Sequence, residues 1–179
     1  MIRYVTGPRP VDRGAAGWCR FAVLLLLLVV PAGPAAALTV REVGRVVEVM
    51  EKLRPHFGPL AYDETLADDW FARDAEERGL IVRAGFTQAS WRAAFDATVC
   101  GYLATVPESA IDALFAELRN RLAHSPRLTA AQRDSIEEFV REERVRLDRL
   151  RRAGEADAEA VRPFADRLAN LLPSPLIEP

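Results

Sequence analysis

The sequence predicts an all-α protein, a small bundle of five to six amphipathic helices that follows a cleaved leader segment. Apolar residues recur every three or four positions along most of the chain, which is the period of a helix. Patterns typical of helix N-termini precede several of these stretches. One short apolar segment at 80–82 has the composition of a strand, but the chain offers no second strand to pair with it.

The first 37 residues have the three parts of a secretory signal peptide. Four arginines against one aspartate make the beginning positive, a ten-residue apolar run covers 21–30, and Ala35 and Ala37 occupy the −3 and −1 positions of a cleavage site. A membrane-spanning helix needs about 20 apolar residues, roughly twice this length. We expect cleavage after Ala37, a periplasmic or secreted protein beginning at Leu38, and no stable membrane anchor after cleavage. An uncleaved anchor is the alternative.

The composition of the mature chain restricts what it does. Residues 38–172 suit one helical domain, and 173–179 is predicted to be a disordered C-terminal tail. The leader holds four of the 24 Lys and Arg residues and one of the 26 Asp and Glu residues. The mature chain therefore has 20 basic and 25 acidic residues and a net charge of −5. This acidic balance argues against nucleic acid as a partner. Cys100 is the only cysteine after cleavage, and with two histidines it provides too few of the usual ligands for structural zinc. We expect no cofactor.

The first helix is predicted over 40–54 from signals at both ends. Thr39 and Glu42 have the spacing of a capping box, in which the hydroxyl and the carboxylate bind the first free backbone N–H groups. Apolar residues follow at helical spacing, and Pro55 and Gly58 are expected to stop the helix.

The second helix is predicted over 63–78, with Gly79 in the position that follows a helix C-terminus. Its acidic residues are Asp63, Glu64, Asp68, Asp69, Asp74, Glu76 and Glu77. We interpret them as a solvated face that pairs with arginines four residues later, as Asp74 would with Arg78. A hard metal needs carboxylates from several elements, so a cation site is the weaker interpretation. The segment 80–82 is predicted to be a buried connector.

The third helix, predicted over 88–105 behind a Thr87 cap, is expected to lie at the centre of the bundle, because a helix that is apolar nearly all round is buried. The residues of its large face are Trp91, Phe95, Val99 and Tyr102. The other side carries small residues, which favours close backbone approach, and Cys100, which we expect to be a buried structural thiol. The three aromatic side chains are candidates for lining an apolar ligand pocket, and ordinary core packing is the alternative.

Two further helices carry clear apolar stripes. The fourth begins at Pro107 and ends near Leu122, and the fifth begins with the segment 128–132 and ends at Gly154. Glu143 falls within the apolar stripe of the fifth helix. A charge at a buried position costs stability unless it is paired, so three interpretations stay open: an Arg partner on a neighbouring helix, a wet position, or a functional carboxylate.

The end of the chain and the two histidines complete the prediction. A last helix is expected to kink or restart at Pro163.

His56 and His124 both follow helix C-termini, where we expect them to bond the last carbonyl groups. A shared catalytic or metal role would require their two loops to meet.

The element formed by Leu128, Thr129 and Gln132 resembles the L-T-x-x-Q motif of small periplasmic helical stress chaperones. The resemblance covers about five residues and the charged helix that follows them. That family usually carries the motif twice, whereas this chain has one copy. The same residues form a capping box behind a hydrophobic staple, and we prefer this interpretation. The chain is therefore not assigned to that family.

The sequence favours a non-enzymatic helical protein that binds a protein partner or client. It contains no nucleophile elbow, no ligand cluster and no phosphate-binding loop, and its long charged fifth helix offers a surface for recognition. One alternative is a carrier of a small apolar ligand held between helices. Another is an enzyme that uses Glu143 with His56 or His124. The candidates for a ligand pocket or partner contact are Trp91, Phe95, Tyr102 and Glu143.

Overall fold

The computed structural model describes residues 37–58, 62–125 and 128–172, so the proposed leader and tail lie outside the described residues. Within these ranges the chain forms helices and no strand, which confirms the all-α prediction, and none of the described helices is long and apolar enough to cross a membrane. In chain order the elements are α1 (Val40–Phe57), α2 (Leu66–Glu77), α3 (Leu80–Arg83), α4 (Gln88–Thr105), α5 (Glu108–Ala123), α6 (Ala130–Ala153), α7 (Ala158–Val161), a 3-10 turn (Arg162–Phe164) and α8 (Ala165–Leu171). The single turns α3 and α7 raise the number of helices above the predicted five or six.

The central helix is α4, as the sequence predicts. It packs against α1, α2, α6 and α7. Trp91, Phe95 and Val99 are at most 1% exposed, and Nε1 of Trp91 donates a hydrogen bond of 2.9 Å to the Ala67 carbonyl of α2. The large face of α4 therefore fills the core shared with α1 and α2, and the indole N–H is satisfied there.

Two glycines allow other segments to approach the small-residue side of α4. Gly154, which ends α6, lies so close to α4 that a Cβ atom built on it would overlap backbone atoms of Cys100 and Gly101. A Cβ atom on Gly101 would lie 2.8 Å from Cγ2 of Val161 in α7. The predicted close backbone approach on this side of α4 is therefore present, and it brings both α6 and α7 onto the helix.

Arginines of neighbouring helices bind the carbonyl groups at three helix C-termini. Carbonyl groups at a helix C-terminus lack the N–H partner that a further helical turn would provide, so donors from elsewhere can bind them. The contacts are Arg73 of α2 to the His56 carbonyl of α1 (3.2 Å), Arg45 of α1 to the Ala84 carbonyl after α3 (3.3 Å), and Arg151 of α6 to the Leu103 and Val106 carbonyls at the end of α4 (3.2 and 2.9 Å). The ends of α1, α3 and α4 are thus completed by side chains from other helices.

Two prolines hold positions that differ from the predicted ones. Pro55 lies inside the last turn of α1, which continues to Phe57 and ends where Gly58 takes a φ of 82°. A proline near a helix C-terminus removes one hydrogen bond, whereas the left-handed conformation of a glycine redirects the chain. Pro107 is the N-cap of α5 and not its first residue, so α5 begins one position later.

The structure corrects the interpretation of Asp74 and of the segment 80–82. Asp74 is 1% exposed, and its Oδ2 accepts a hydrogen bond of 2.7 Å from the Ile81 backbone N–H. Its carboxylate therefore lies inside the fold and forms no ion pair with the described residues. The segment 80–82 begins the helical turn α3, in which Ile81 is buried while Val82 is 54% exposed. Gly79, with a φ of 62°, provides the reversal that brings Ile81 back to α2.

The C-terminal segment turns at Pro163, as predicted, through the 3-10 turn that separates α7 from α8. Leu168 and Leu171 of α8 are buried. Arg167 donates from Nε and Nη2 to the two carboxylate oxygens of Glu51 at 2.8 and 2.7 Å, and this bidentate pair joins α8 to α1.

We predict that Gly154→Ala lowers the free energy of unfolding by about 3 kcal/mol, because the new methyl group would overlap the α4 backbone. Urea denaturation of a chain that begins at Leu38 measures the change. The exposed neighbouring position gives the control, since Ala153→Ser should cost less than about 1 kcal/mol. Equal stability of the two variants would contradict the close approach.

We also predict that Asp74→Ala costs about 1–3 kcal/mol, because the buried Ile81 N–H loses its acceptor. The matched control is Asp69→Ala on the exposed face of the same helix, which should change stability by no more than about 0.5 kcal/mol. Thermal unfolding followed by circular dichroism compares the two, and similar melting temperatures would show that Asp74 has no structural role.

Candidate functional site

A groove of about 420 Å³ lies between α5 and α6. Its lining residues are Asp112, Phe115 and Arg119 from α5 and Glu137, Val140, Arg141, Arg144 and Val145 from α6. Residues three or four positions apart share a face of a helix, so each helix turns one face toward the groove.

The groove has an apolar floor and an apolar side chain at its open edge. Phe115 and Val140 are 3% and 5% exposed and form the floor, whereas Val145 is 55% exposed. An exposed apolar side chain beside an open groove remains available for contact with another molecule.

Arg144 connects the two helices behind the groove. Its Nη1 lies 2.8 Å from a carboxylate oxygen of Asp112 and its Nε lies 3.3 Å from Asp148. The guanidinium also lies over the Phe115 ring, 5.6 Å from the centroid, in a cation–π contact. The charge of Arg144 is therefore used within the protein, where it fixes α5 against α6.

The other two arginines of the groove lie at its exposed edge. Arg141 pairs with Glu138 of its own helix on the outer surface. Arg119 donates from Nε to the Phe115 carbonyl at 3.3 Å and makes no ion pair with any residue that the structure describes. Asp112 and Glu137 are the acids of the groove lining, and Asp112 is bound to Arg144. Arg119 is therefore the lining arginine without an ion-pair partner among the described residues.

Among the described residues Glu143 pairs with Arg146 of its own helix and with no residue of a neighbouring helix. Its Oε2 lies 3.2 Å from Nη1 of Arg146, and Nη2 of Arg146 donates to the Tyr62 carbonyl at 3.1 Å. The side chain of Glu143 is 27% exposed, so the pair is partly solvated. At 100° per residue Glu143 faces away from the groove. Its role here is to hold an arginine that binds the segment before α2.

The structure brings Trp91 and Phe95 together in an aromatic cluster and leaves Tyr102 outside it. The ring centroids of Trp91 and Phe95 are 5.4 Å apart, and Phe95 also contacts Trp70 and Tyr62 at 5.8 and 6.4 Å. Trp91 and Phe95 are fully buried, whereas Tyr102 is half-buried. Neither side chain of the buried pair reaches the protein surface, so this pair does not offer a contact to a protein partner.

Cys100 is buried beside a hydrogen-bonded pair of polar side chains. The Tyr62 hydroxyl donates to Oδ1 of Asp96 at 3.2 Å. Burial raises the pKa of the Cys100 thiol, and the nearby Asp96 carboxylate raises it further. Burial also raises the pKa of Asp96, against the Tyr62 hydrogen bond and Arg92, which lower it. The thiol therefore stays protonated at neutral pH, which is the structural role that the sequence predicts.

The two histidines differ in their contacts. Nδ1 of His124 lies 2.8 Å from the Asn120 carbonyl, which confirms the predicted bond to the end of its helix. His56 does not cap α1 in this way: its Nδ1 lies 3.4 Å from Nη2 of Arg78, and its own carbonyl is bound by Arg73. In the described ranges neither histidine contacts Glu143, and no group of three or more metal-ligating side chains is present there.

The groove residues were not among the candidates predicted from the sequence. The sequence shows the apolar stripes of the two helices. A stripe predicts which residues are buried in the core, but it does not predict where two packed helices leave a groove between them. Val145 offered the one available signal, because it is an apolar residue on the charged side of the α6 helix.

We predict that Cys100, in a chain that begins at Leu38, reacts with an aromatic disulfide reagent at pH 8 at least about tenfold more slowly in the folded than in the urea-unfolded protein. The thiolate is the reactive form, so the raised pKa also places the midpoint of the folded protein's pH–rate profile above that of the unfolded chain. Stopped-flow absorbance measurements across a pH series give both quantities. Equal rates in the two states would contradict the burial of the thiol.

No protein-family model, no curated protein and no solved structure matches this chain. The groove between α5 and α6 and the side chains that line it are therefore the basis for a functional assignment.

Proposed function

We propose that the mature chain is a periplasmic or secreted, non-enzymatic protein that binds a client polypeptide in the groove between α5 and α6. The observation that supports this function is the combination of an apolar floor, an exposed Val145 and the edge residue Arg119, which has no ion-pair partner among the described residues, in one open groove. Export rests on the leader pattern of residues 1–37.

The chemistry of the groove suits an extended segment with both apolar side chains and carboxylates. Phe115, Val140 and Val145 provide apolar contact, and Arg119 at the opening provides guanidinium donors with the geometry of a carboxylate partner. Hydrophobic contact alone would not discriminate among unfolded segments, whereas Arg119 favours acidic ones.

The packing of α5 also favours a binding surface. Only Ile111 and Phe115 of this helix are fully buried, and its three other stripe residues, Leu114, Leu118 and Leu122, remain partly exposed. The first ten residues of α6 bury none of their side chains completely, since its buried residues begin at Val140. The two helices therefore retain apolar surface that the domain itself does not cover.

The carrier alternative would place a small apolar ligand beside the aromatic face of α4. Trp91 and Phe95 have their rings in contact with other rings of the core, at centroid separations of 5.4 to 6.4 Å. No contact of these residues favours a ligand over ordinary packing, so client binding is the function proposed.

We predict that Val145→Asp weakens binding of a fluorescent peptide rich in Leu and Glu at least about tenfold, which corresponds to about 1.4 kcal/mol. The substitution removes apolar contact and repels the peptide carboxylates. The matched control is Phe139→Asp: Phe139 is 59% exposed on the same helix, but it lies on the side opposite the groove. Fluorescence anisotropy measures the Kd of each variant, and circular dichroism verifies that both fold.

Three further results define the test. A peptide with Lys in place of Glu should bind more weakly to the unaltered protein, and added salt should reduce the difference, because exposed charge pairs are screened. Equal losses for Val145→Asp and Phe139→Asp would show that binding does not use the groove. The absence of saturable binding for either peptide would exclude the proposed client chemistry.

A further inference from the structure

The backbone nitrogen of Leu38 binds a buried carboxylate that is distant in sequence. It donates to Oδ1 of Asp157 at 2.7 Å, across a separation of 119 residues. Asp157 is 9% exposed, and among the described residues no Lys or Arg forms an ion pair with it. A carboxylate at this depth is stabilised far more by a positive charge than by one neutral N–H group.

Leu38 is held at this position by its own neighbours. It directly precedes Thr39, the N-cap of α1, whose capping box with Glu42 is complete in the structure. The Leu38 side chain packs against the hydrophobic core from the position that forms a hydrophobic staple, while Ala37 is exposed. The place of the Leu38 nitrogen is therefore fixed by the start of α1.

The position of Asp157 is also fixed, by its contacts with α4 and α7. It lies in the turn before α7, and a Cβ atom on Gly101 of α4 would be only 3.2 Å from its Cβ. Its backbone carbonyl accepts a hydrogen bond of 3.1 Å from the Val161 N–H. The carboxylate is thus positioned by α4 and α7 to face the Leu38 nitrogen.

We propose that Asp157 is the binding site for the α-ammonium group that leader cleavage creates at Leu38. Hydrolysis of the Ala37–Leu38 bond adds the water oxygen to the Ala37 carbonyl carbon and the water protons to the new termini. At neutral pH the proton of the new carboxylic acid passes to the amine, which leaves a carboxylate on Ala37 and an ammonium group on Leu38. The amide N–H contact then becomes an ion pair with a buried carboxylate.

This ion pair would distinguish the processed chain from its precursor. Before cleavage the Asp157 carboxylate receives one neutral hydrogen bond, and after cleavage it receives a charged donor at the same place. Processing therefore stabilises the contact between the start of α1 and the α6–α7 turn. The inference rests on the leader cleavage that is part of the proposed function, but it does not depend on the groove or its client.

The test compares three forms of the chain without its leader: one beginning at Leu38, one beginning at Ala37, and one beginning at Leu38 with an acetylated α-amine. We expect the free Leu38 form to melt about 3–6 °C above the other two, which keep an amide at this nitrogen. In the Asp157→Asn background the three forms should melt together, because the charge partner is absent. Intact mass of the protein recovered from the periplasm should correspond to 38–179.

Several outcomes would overturn the proposal. The first is that the three forms melt at the same temperature when Asp157 is present. The second is that their melting temperatures differ by the same amount in the unsubstituted chain and in the Asp157→Asn variant. The third is that the exported protein begins at a residue other than Leu38. If Asp157→Asn fails to fold, the three N-terminal forms of the unsubstituted chain still decide the question. Loss of peptide binding in groove variants leaves this result unchanged, so the two proposals fail separately.

Discussion

The contact between Gly154 and the backbone of α4 determines how the rest of the domain is arranged. It fixes the point at which α6 crosses the central helix, because no side chain separates the two backbones there. The part of α6 before this point extends along α5 and forms the groove with it. The chain after this point turns over Gly101 and brings Asp157 toward Leu38. Both proposed sites therefore depend on one close approach of backbones.

Among the described residues most ion pairs run along single helices, and a smaller set joins one helix to another. Arg144 joins α6 to Asp112 of α5, and Arg167 joins α8 to Glu51 of α1. These partly buried or bidentate pairs fix geometry, whereas isolated exposed pairs contribute little stability. Arg119 forms no ion pair with the described residues, and it differs from other such arginines in lining the groove beside exposed apolar surface.

The sequence predicts the helices and the burial of α4 well, because both follow from local periodicity and from the apolar character of a single segment. Thr39, Thr87 and Thr129 all form the capping boxes or caps expected of them. Asp74 could not be placed, since its acceptor role depends on the turn at Gly79, which returns the chain to α2. The groove and the Leu38–Asp157 contact were not predictable, because each joins segments whose relative position only the packing of the whole domain determines.

The arginines that bind carbonyl groups at the ends of α1, α3 and α4 have a consequence for folding. Each of these helices obtains its last hydrogen-bond partners from a different helix, so none of the three is complete until its neighbour is in place. An isolated segment of this chain would leave those carbonyls to water. The domain is therefore built to form and to lose its helices together, as one cooperative unit.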